Sequence, residues 1–254
     1  MIPKALRSRI NALKLGIGEA QEKYFIAEGY TVVKEGISAG WFPRWLIVSE
    51  EDAEKYAPLI AQVNNKSEIY IVSEREMKEF STLETPPGVL GVFPKKDVTL
   101  SNGDILVIVD GVQDPGNLGT IIRTSDAVGA SGVVVLKGGI DPYNYKVVRG
   151  SMGSIFHIPV VKVEDTEQFF GGIIDRYLII GTSSHKGTLY YNFEWKFPLA
   201  LVFGSEARGL SRDTERFCNV TVRIPIFGKA ESLNVAVACG VILYEVIKRI
   251  VVKY

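Results

Sequence analysis

The feature that most constrains the fold is a series of short, strongly apolar runs in the second half of the chain, separated by longer helical patterns. The clearest run is ILVIVD at 105–110, which is apolar enough for a strand buried on both faces of a sheet. Strands that alternate with helices indicate an α/β fold with an open, mostly parallel sheet. The other predicted strands are GVVVL, HIPVVKV, YLIIG, LALVFG and VTVRIP, which begin near residues 132, 157, 177, 199 and 220.

The first hundred residues carry a separate, smaller pattern. A helix is predicted over 4–15 from apolar residues at helical spacing, and shorter strand-like and helix-like runs follow it. The segment 94–104 is polar, contains Pro, Gly and Asn, and is typical of a linker. The sequence therefore predicts a small αβ domain over 1–93, a linker over 94–104 and a larger α/β domain over 105–254.

Charge and cysteine content narrow the possible partners. Lys plus Arg and Asp plus Glu both number 29, so any surface that binds a polyanion must be a local patch. The two cysteines, Cys218 and Cys239, lack the spacing of metal ligands, so we expect reduced thiols and no metal site. One candidate basic patch is the N-terminus, with Lys4, Arg7, Arg9 and Lys14.

Nothing in the sequence indicates a membrane protein. No run approaches the roughly 18 apolar residues that cross a bilayer, and the first residues lack the apolar core of a secretory signal. We therefore expect a cytoplasmic protein without a membrane partner.

Three glycine-containing loops follow predicted strands, at the edge of the sheet where open α/β folds bind ligands. In the first segment, at 110–130, Gly116 and Gly119 allow the backbone to approach a ligand, and a helix predicted to begin around Thr120 would offer free N–H groups. The loop lacks the Lys and Ser or Thr of a Walker motif and the glycine triplet of a dinucleotide fingerprint. By itself it could be a tight turn with Asn117 as a helix cap and Arg123 as a surface charge.

The second and third loops are weaker signals when each is taken alone. In FGSEARGL at 203–210, Gly204 precedes Glu206, whose carboxylate could orient a ligand, but an ordinary turn also fits. In the third loop, Ser232 and Asn234 lie at the start of a very apolar helix that must be buried. Helix capping is the alternative role for both residues.

In order and spacing, the three loops together resemble the motifs of the SpoU-type RNA 2′-O-ribose methyltransferases of the SPOUT superfamily. The resemblance covers about residues 105–250 and includes VVRGSMGSIFHIPVV at 147–161, which is similar to a segment between the first two motifs. Through Tyr24-Phe25 to Glu28-Gly29, Val33 with Glu35, and the run RWLIVS that follows, the first domain more loosely resembles a small RNA-binding domain akin to kink-turn-binding ribosomal proteins. The matching motif residues are NLG at 117–119 with Arg123, GSE at 204–206 with GL at 209–210, and IP at 224–225 with ESLNV at 231–235.

The resemblance implies a cofactor, a topology and residue roles. The fold would contain a trefoil knot near the C-terminus, the cofactor would be S-adenosylmethionine, and catalytic residues would meet across a homodimer interface. The implied cofactor contacts are Thr182, Ser183, Gly204, Ile224 and Leu233. The implied catalytic residues are Arg123, Asn117, Glu206, Ser232 and Asn234. Since a guanidinium group stays protonated in proteins, Arg123 is expected to hold a phosphate or stabilise developing negative charge rather than act as a base.

The predicted function is methyl transfer from S-adenosylmethionine to a ribose 2′-hydroxyl of RNA, with ribosomal RNA favoured by the first domain. Three alternatives stay open: an RNA-binding protein of the same fold without catalysis, a tRNA-directed methyltransferase, and a nucleotide-dependent enzyme such as a dehydrogenase. The intact Asn117, Arg123, Glu206 and Asn234 argue against the first alternative. The missing glycine fingerprint argues against the third.

Overall fold

The structure is a computed structural model that describes residues 2–251, with side chains described as far as Arg249. Residue 1 and residues 252–254, the outer ends of the two predicted domains, lie outside the described residues. The chain forms two compact units. One contains the residues up to Asp97 together with Tyr143–His157, and the other contains Val98–Pro142 together with the residues from Ile158 onwards.

Strands and helices alternate along most of the chain, as the sequence predicts. The strands are Tyr24–Glu28 (β1), Trp45–Ser49 (β2), Glu68–Val72 (β3), Val89–Pro94 (β4), Ile105–Asp110 (β5), Gly132–Val135 (β6), Val160–Lys162 (β7), Leu178–Ser183 (β8), Thr188–Leu189 (β9), Leu199–Gly204 (β10) and Val220–Arg223 (β11). The helices are Lys4–Leu15 (α1), Ala20–Lys23 (α2), Tyr30–Ser38 (α3), Ala57–Val63 (α4), Glu74–Phe80 (α5), Pro115–Ala127 (α6), Tyr145–Gly150 (α7), Thr166–Ile173 (α8), Arg212–Glu215 (α9) and Val235–Val251 (α10). No helix among these residues is long and apolar enough to cross a membrane.

The first unit is built on a four-stranded mixed sheet with the order β1-β4-β2-β3. Strand β4 is antiparallel to both of its neighbours, whereas β2 and β3 are parallel. Helix α1 has the bounds predicted from the sequence and buries Leu6, Ile10 and Leu13, the residues at helical spacing. It ends at Gly16, whose φ of 67° is a left-handed conformation that favours glycine.

The segment 143–157 belongs to the first unit, although the sequence places it in the second domain. The reason is aromatic packing, because the rings of Tyr143 and Phe156 lie 4.8 and 5.8 Å from the ring of Phe25. A Cβ on Gly36 would lie only 2.9 Å from Phe156, so a glycine is needed where this ring enters the unit. The chain therefore leaves the second unit after β6 and returns to it before β7.

The second unit is built on a seven-stranded sheet with the order β7-β6-β5-β10-β8-β11-β9, and every pair in it is parallel. Every residue of β5 is buried, as its apolar sequence predicts. The predicted α/β fold with a mostly parallel sheet is therefore present. The predicted strand at 157–163 is shorter than expected, and the two-residue edge strand β9 was not predicted.

The strand order creates a switch point beside β5. The chain first builds outward through β6 and β7, and its later strands are added on the other side, with β10 directly next to β5. Such a switch point is where open α/β sheets bind ligands, beyond the carboxyl ends of the strands. Because Asp110 pairs with Gly204 in the parallel register, the loops after β5 and β10 leave the sheet side by side.

Candidate functional site

A cleft lies beyond the carboxyl ends of β8, β10 and β11. It encloses about 650 Å³ when the space at its open mouth is counted. Three loops and the first turns of α10 supply its walls. The lining residues are Thr182, Ser183, Ser184, Phe203, Gly204, Ser205, Glu206, Gly209, Ile224, Ile226, Ser232, Leu233, Val235, Ala238 and Ile242.

All five residues that the family resemblance assigns to the cofactor line this cleft. Two of them are fixed by hydrogen bonds at the end of β8. The Thr182 hydroxyl donates to the carbonyl oxygen of Val202, 2.9 Å away. The Ser183 hydroxyl oxygen accepts from the backbone N–H groups of His185 and Lys186, at 3.2 and 3.3 Å. These bonds hold the cleft wall in one conformation.

The second motif forms a tight turn between Ser205 and Gly209. Their backbones exchange two hydrogen bonds, of 3.1 and 2.8 Å, and the φ of Gly209 is 67°. A Cβ on Gly204 would lie 2.1 Å from the carbonyl carbon of Gly209. The turn can therefore close only if residue 204 has no side chain.

Sequence reasoning missed the part played by Asp110. This buried carboxylate ends β5 and accepts a hydrogen bond from the backbone N–H of Ser211, 2.7 Å away. It thereby ties the end of the second-motif loop to the neighbouring strand. An acidic residue that terminates an otherwise apolar buried strand was the available signal, since a buried charge requires a partner.

Side chains from all three motifs meet in one hydrogen-bonded chain at the cleft mouth. The Asn117 amide donates to the Glu206 carboxylate. The Asn234 amide donates in turn to Oδ1 of Asn117 over 2.8 Å. The structure therefore joins three of the five predicted catalytic residues, which lie on α6, in the turn after β10 and at the start of α10.

Helix capping separates the alternative roles of these residues. Asp114, not Asn117, caps α6 by accepting from the N–H of residue 117 at 2.8 Å, so the capping interpretation of Asn117 is wrong. Asn234 does cap α10, because its Oδ1 accepts from the N–H groups of Ala236 and Val237 at 3.0 and 3.3 Å. Asn234 therefore both caps a helix and extends the hydrogen-bonded chain through its amide nitrogen.

The remaining two predicted catalytic residues, Ser232 and Arg123, are not hydrogen-bonded to Asn117, Glu206 or Asn234. Ser232 lines the cleft, but its hydroxyl makes no hydrogen bond within the described part of the protein. Arg123 is exposed, and its guanidinium has no partner among residues 2–249. It lies six residues beyond Asn117 on α6, which at 3.6 residues per turn points it about 120° away around the helix axis. Within one chain, Arg123 and Asn117 therefore face different directions.

Two of the four cations in the basic patch predicted at the N-terminus have internal partners. Arg7 forms an ion pair with Glu76 over 2.9 Å and a second with Glu79. Lys14 donates to the carbonyl oxygen of Glu79 over 2.7 Å. Helix α5 therefore engages two of the four cations, whereas Lys4 and Arg9 are exposed and form no ion pair within the described residues.

Both cysteine thiols are held in the protonated form. Burial raises the pKa of Cys218 to about 11, with smaller contributions from the carboxylates of Glu215 and Asp110. Burial alone raises the pKa of Cys239 still further. Thiols with raised pKa values are poor nucleophiles at neutral pH, so neither cysteine is a candidate for the chemistry at the cleft.

The fold and the cleft together define a class of RNA methylase. The family model described as the SpoU rRNA Methylase family matches residues 104–244. A second model, described as an MRM3-like substrate binding domain, matches residues 18–91. The chain belongs to the SpoU rRNA Methylase family, which confirms the methyltransferase class predicted from the three motifs.

Individual relatives agree with this assignment over most of the chain. The 23S rRNA (guanosine(2553)-2′-O)-methyltransferase RlmP of Bacillus subtilis is 30% identical over 221 residues, which cover 87% of each protein. The 23S rRNA (uridine(2479)-2′-O)-methyltransferase of Streptomyces viridochromogenes is 30% identical over 237 residues, covering 89% of this chain and 83% of the relative. The crystal structure of the SpoU methyltransferase AviRb from Streptomyces viridochromogenes, in complex with the cofactor AdoMet, superimposes with a TM-score of 0.86 and 29% identity. The match covers 98% of this chain and 100% of that one.

Proposed function

We propose that this protein transfers the methyl group of S-adenosylmethionine to a ribose 2′-hydroxyl of ribosomal RNA. The observation that carries the proposal is the hydrogen-bonded chain of Asn234, Asn117 and Glu206 at the mouth of the cleft. It places polar groups from three sequence-distant motifs beside the cleft that the predicted cofactor residues line.

The cleft residues fit S-adenosylmethionine chemically. Phe203, Ile224 and Leu233 offer apolar walls for the adenine ring, while the hydroxyls and backbone groups after β8 and β10 can hydrogen-bond to its polar atoms. Glu206 supplies a carboxylate that can face a positively charged sulfonium. When bound, this cofactor supplies an already activated methyl group.

Because the methyl donor is activated, the protein has to align the hydroxyl and stabilise the charge that develops as its proton leaves. Glu206 is held at the cleft mouth by Asn117, and Asn117 is held by the cap of α10. Arg123 suits a phosphate of the target RNA, since guanidinium binds phosphate oxygens through two parallel hydrogen bonds. Ser232 is exposed on the cleft wall, where its hydroxyl can reach the ribose.

We propose a homodimer in which Arg123 of one subunit reaches the catalytic residues of the other subunit. Two observations support the homodimer. Arg123 points away from Asn117 on α6, and an apolar stripe runs along α10 through residues 237, 240, 241 and 244, at helical spacing. Val237 and Tyr244 of this stripe are 53% and 58% exposed, and exposed apolar stripes are typical of protein interfaces.

We also infer that the polypeptide is knotted near its C-terminus, as in the family that it resembles. The support is that the segment 224–234 lines the same cleft as the loops after β8 and β10 before it enters α10. The last helix then contacts α6 and β10 of the same unit. This placement is the one expected if the C-terminal segment is threaded past the loops after β8 and β10.

Ribosomal RNA is the favoured substrate because both curated relatives named above act on 23S rRNA and match nearly the whole chain. Those two enzymes modify different nucleosides at the same 30% identity, so membership of the family does not define the target base. A cytoplasmic location stays a prediction from the sequence.

The first unit is proposed to hold the RNA, as the resemblance to kink-turn-binding proteins implies. Its surface offers lysines supported by aromatic rings: Lys66 Nζ lies 3.8 Å from the ring centre of Phe42, and Lys96 Nζ lies 4.4 Å from that of Trp41. Neither lysine forms an ion pair within the described residues, so both charges can meet phosphates. Replacing both by glutamine should reduce the slope of log affinity for RNA against log salt by about 1.4, which filter binding at several salt concentrations would measure.

Calorimetric titration of the purified protein tests the cofactor assignment without knowledge of the RNA. We expect saturable binding of S-adenosylmethionine and no binding of NAD. No binding of the methyl donor, with or without added RNA, would overturn the proposed function. Binding of NAD would favour a dehydrogenase instead.

A further inference from the structure

Phe227 is the most exposed of the large apolar side chains in the described part of the protein, with 91% of its surface in solvent. It lies in the segment between β11 and α10, which forms one wall of the cleft. The preceding Ile226 and the later Leu233 both line the cleft. Phe227 does not line it, and its exposed ring follows directly on a cleft residue, so we place it at the rim of the cleft.

The residues after Phe227 keep this rim open. Gly228 has no atom within 4 Å of the position that a Cβ would take, and Lys229 is exposed and has no partner within the described residues. Single-stranded nucleic acid is bound by a combination of aromatic rings and cations, and Phe227 and Lys229 offer one of each. Bases stack on the ring, and the cation meets the backbone phosphate.

We propose that Phe227 stacks on a base of the RNA that neighbours the methylated nucleotide, with Lys229 on an adjacent phosphate. This inference rests on the proposed function, because it assumes that the target ribose is held at the cleft mouth. Stacking gives the enzyme a contact that fixes the strand without reading a particular base, since every base has an aromatic face.

The features around Phe227 favour RNA over a second copy of the chain. A homodimer interface needs a continuous apolar area, and the candidate for that is the stripe on α10. Phe227 is followed by Gly228 and Lys229, both exposed, so its next two neighbours along the chain add no apolar side chain to it. The oligomeric state of a Phe227 variant then becomes one of the outcomes of the test.

The test compares Phe227→Ala with Phe227→Tyr and Phe227→Leu, using unmodified 23S rRNA transcribed in vitro. The alanine variant should weaken RNA binding, measured by filter binding, by about 5- to 100-fold, the range found for single stacked bases. Its KM for RNA should rise while its affinity for S-adenosylmethionine stays normal. Tyrosine should restore binding to within about two-fold of wild type, whereas leucine, which keeps apolar bulk without a ring, should resemble alanine.

Three results would overturn the inference: unchanged RNA affinity of Phe227→Ala, full rescue by leucine, or a change in oligomeric state or cofactor affinity. Tyr191→Ala, which removes another exposed aromatic side chain of the second unit, is the matched control and should leave RNA affinity unchanged. If wild-type protein binds the RNA but transfers no methyl group, the proposed function fails. The effect of Phe227→Ala on the RNA dissociation constant still decides the inference in that case.

Discussion

The substitution Asn234→Asp separates the capping role of this residue from its role at the cleft mouth. The carboxylate keeps the acceptor that caps α10 at the N–H groups of Ala236 and Val237, and Asp caps helices about as well as Asn. It removes the amide donor that reaches Asn117 over 2.8 Å. The cap is therefore retained while the hydrogen-bonded chain is broken.

The Asn117 side chain cannot compensate by turning over. It has one donor end and one acceptor end, and after the substitution it would lie between two carboxylates, one of them Glu206. Either orientation directs its carbonyl oxygen at a carboxylate oxygen. We expect the free energy of unfolding to change by no more than about 1 kcal/mol, since a cap is kept and one hydrogen bond is lost. Misplacing Glu206 should lower methyl transfer by about tenfold or more, which corresponds to 1.4 kcal/mol in the barrier.

Urea unfolding and a methyl-transfer assay on the same protein preparations provide the two readouts. Asn234→Ala is the matched control, because it removes the cap as well and should lose about 0.5–2 kcal/mol of stability together with activity. Full methyl transfer by Asn234→Asp would refute this role, since it would show that Asn234 contributes to the protein only by capping α10.

Three further predictions follow from the same geometry. Gly204→Ala places a Cβ 2.1 Å from the Gly209 carbonyl carbon, so it should cost about 1–3 kcal/mol of stability and abolish binding of S-adenosylmethionine in calorimetry; a normal dissociation constant would contradict the assigned turn. Arg123→Ala should abolish methyl transfer while cofactor binding persists, and near-normal transfer would remove Arg123 from the mechanism. Because the pKa of Cys218 is raised from 9.0 to about 11, the stability that its thiol contributes is complete below pH 9 and is lost as pH rises to 11. It amounts to about 1–2 kcal/mol after allowance for partial exposure. Cys218→Ala should flatten this part of the pH dependence of unfolding, and an unchanged slope would refute the assignment.

The strands and the site loops could be predicted because their signals are local. The run that forms β5 is apolar throughout and is buried throughout, and the glycines of the second motif are where the chain must turn tightly. The contacts between motifs could not be predicted from periodicity. Asn117 meets Glu206 and Asn234 across separations of 89 and 117 residues, and only the switch in strand order brings them together.

The same limit explains two differences between the sequence expectations and the structure. Arg7 looked available because its partners, Glu76 and Glu79, are some 70 residues away. The segment 143–157 follows β6 in the chain, but its aromatic rings pack on Phe25 of the first unit. Long-range burial and ion pairing decide both cases, and neither leaves a periodic signature in the sequence.

The most direct measurement is transfer of a labelled methyl group from S-adenosylmethionine to unmodified 23S rRNA, followed by digestion and identification of the labelled nucleoside. The proposed 2′-O-methyl transfer should give a single 2′-O-methylated nucleoside with wild-type protein and none with Arg123→Ala. Label on a base, or no label on RNA despite tight cofactor binding, would contradict it.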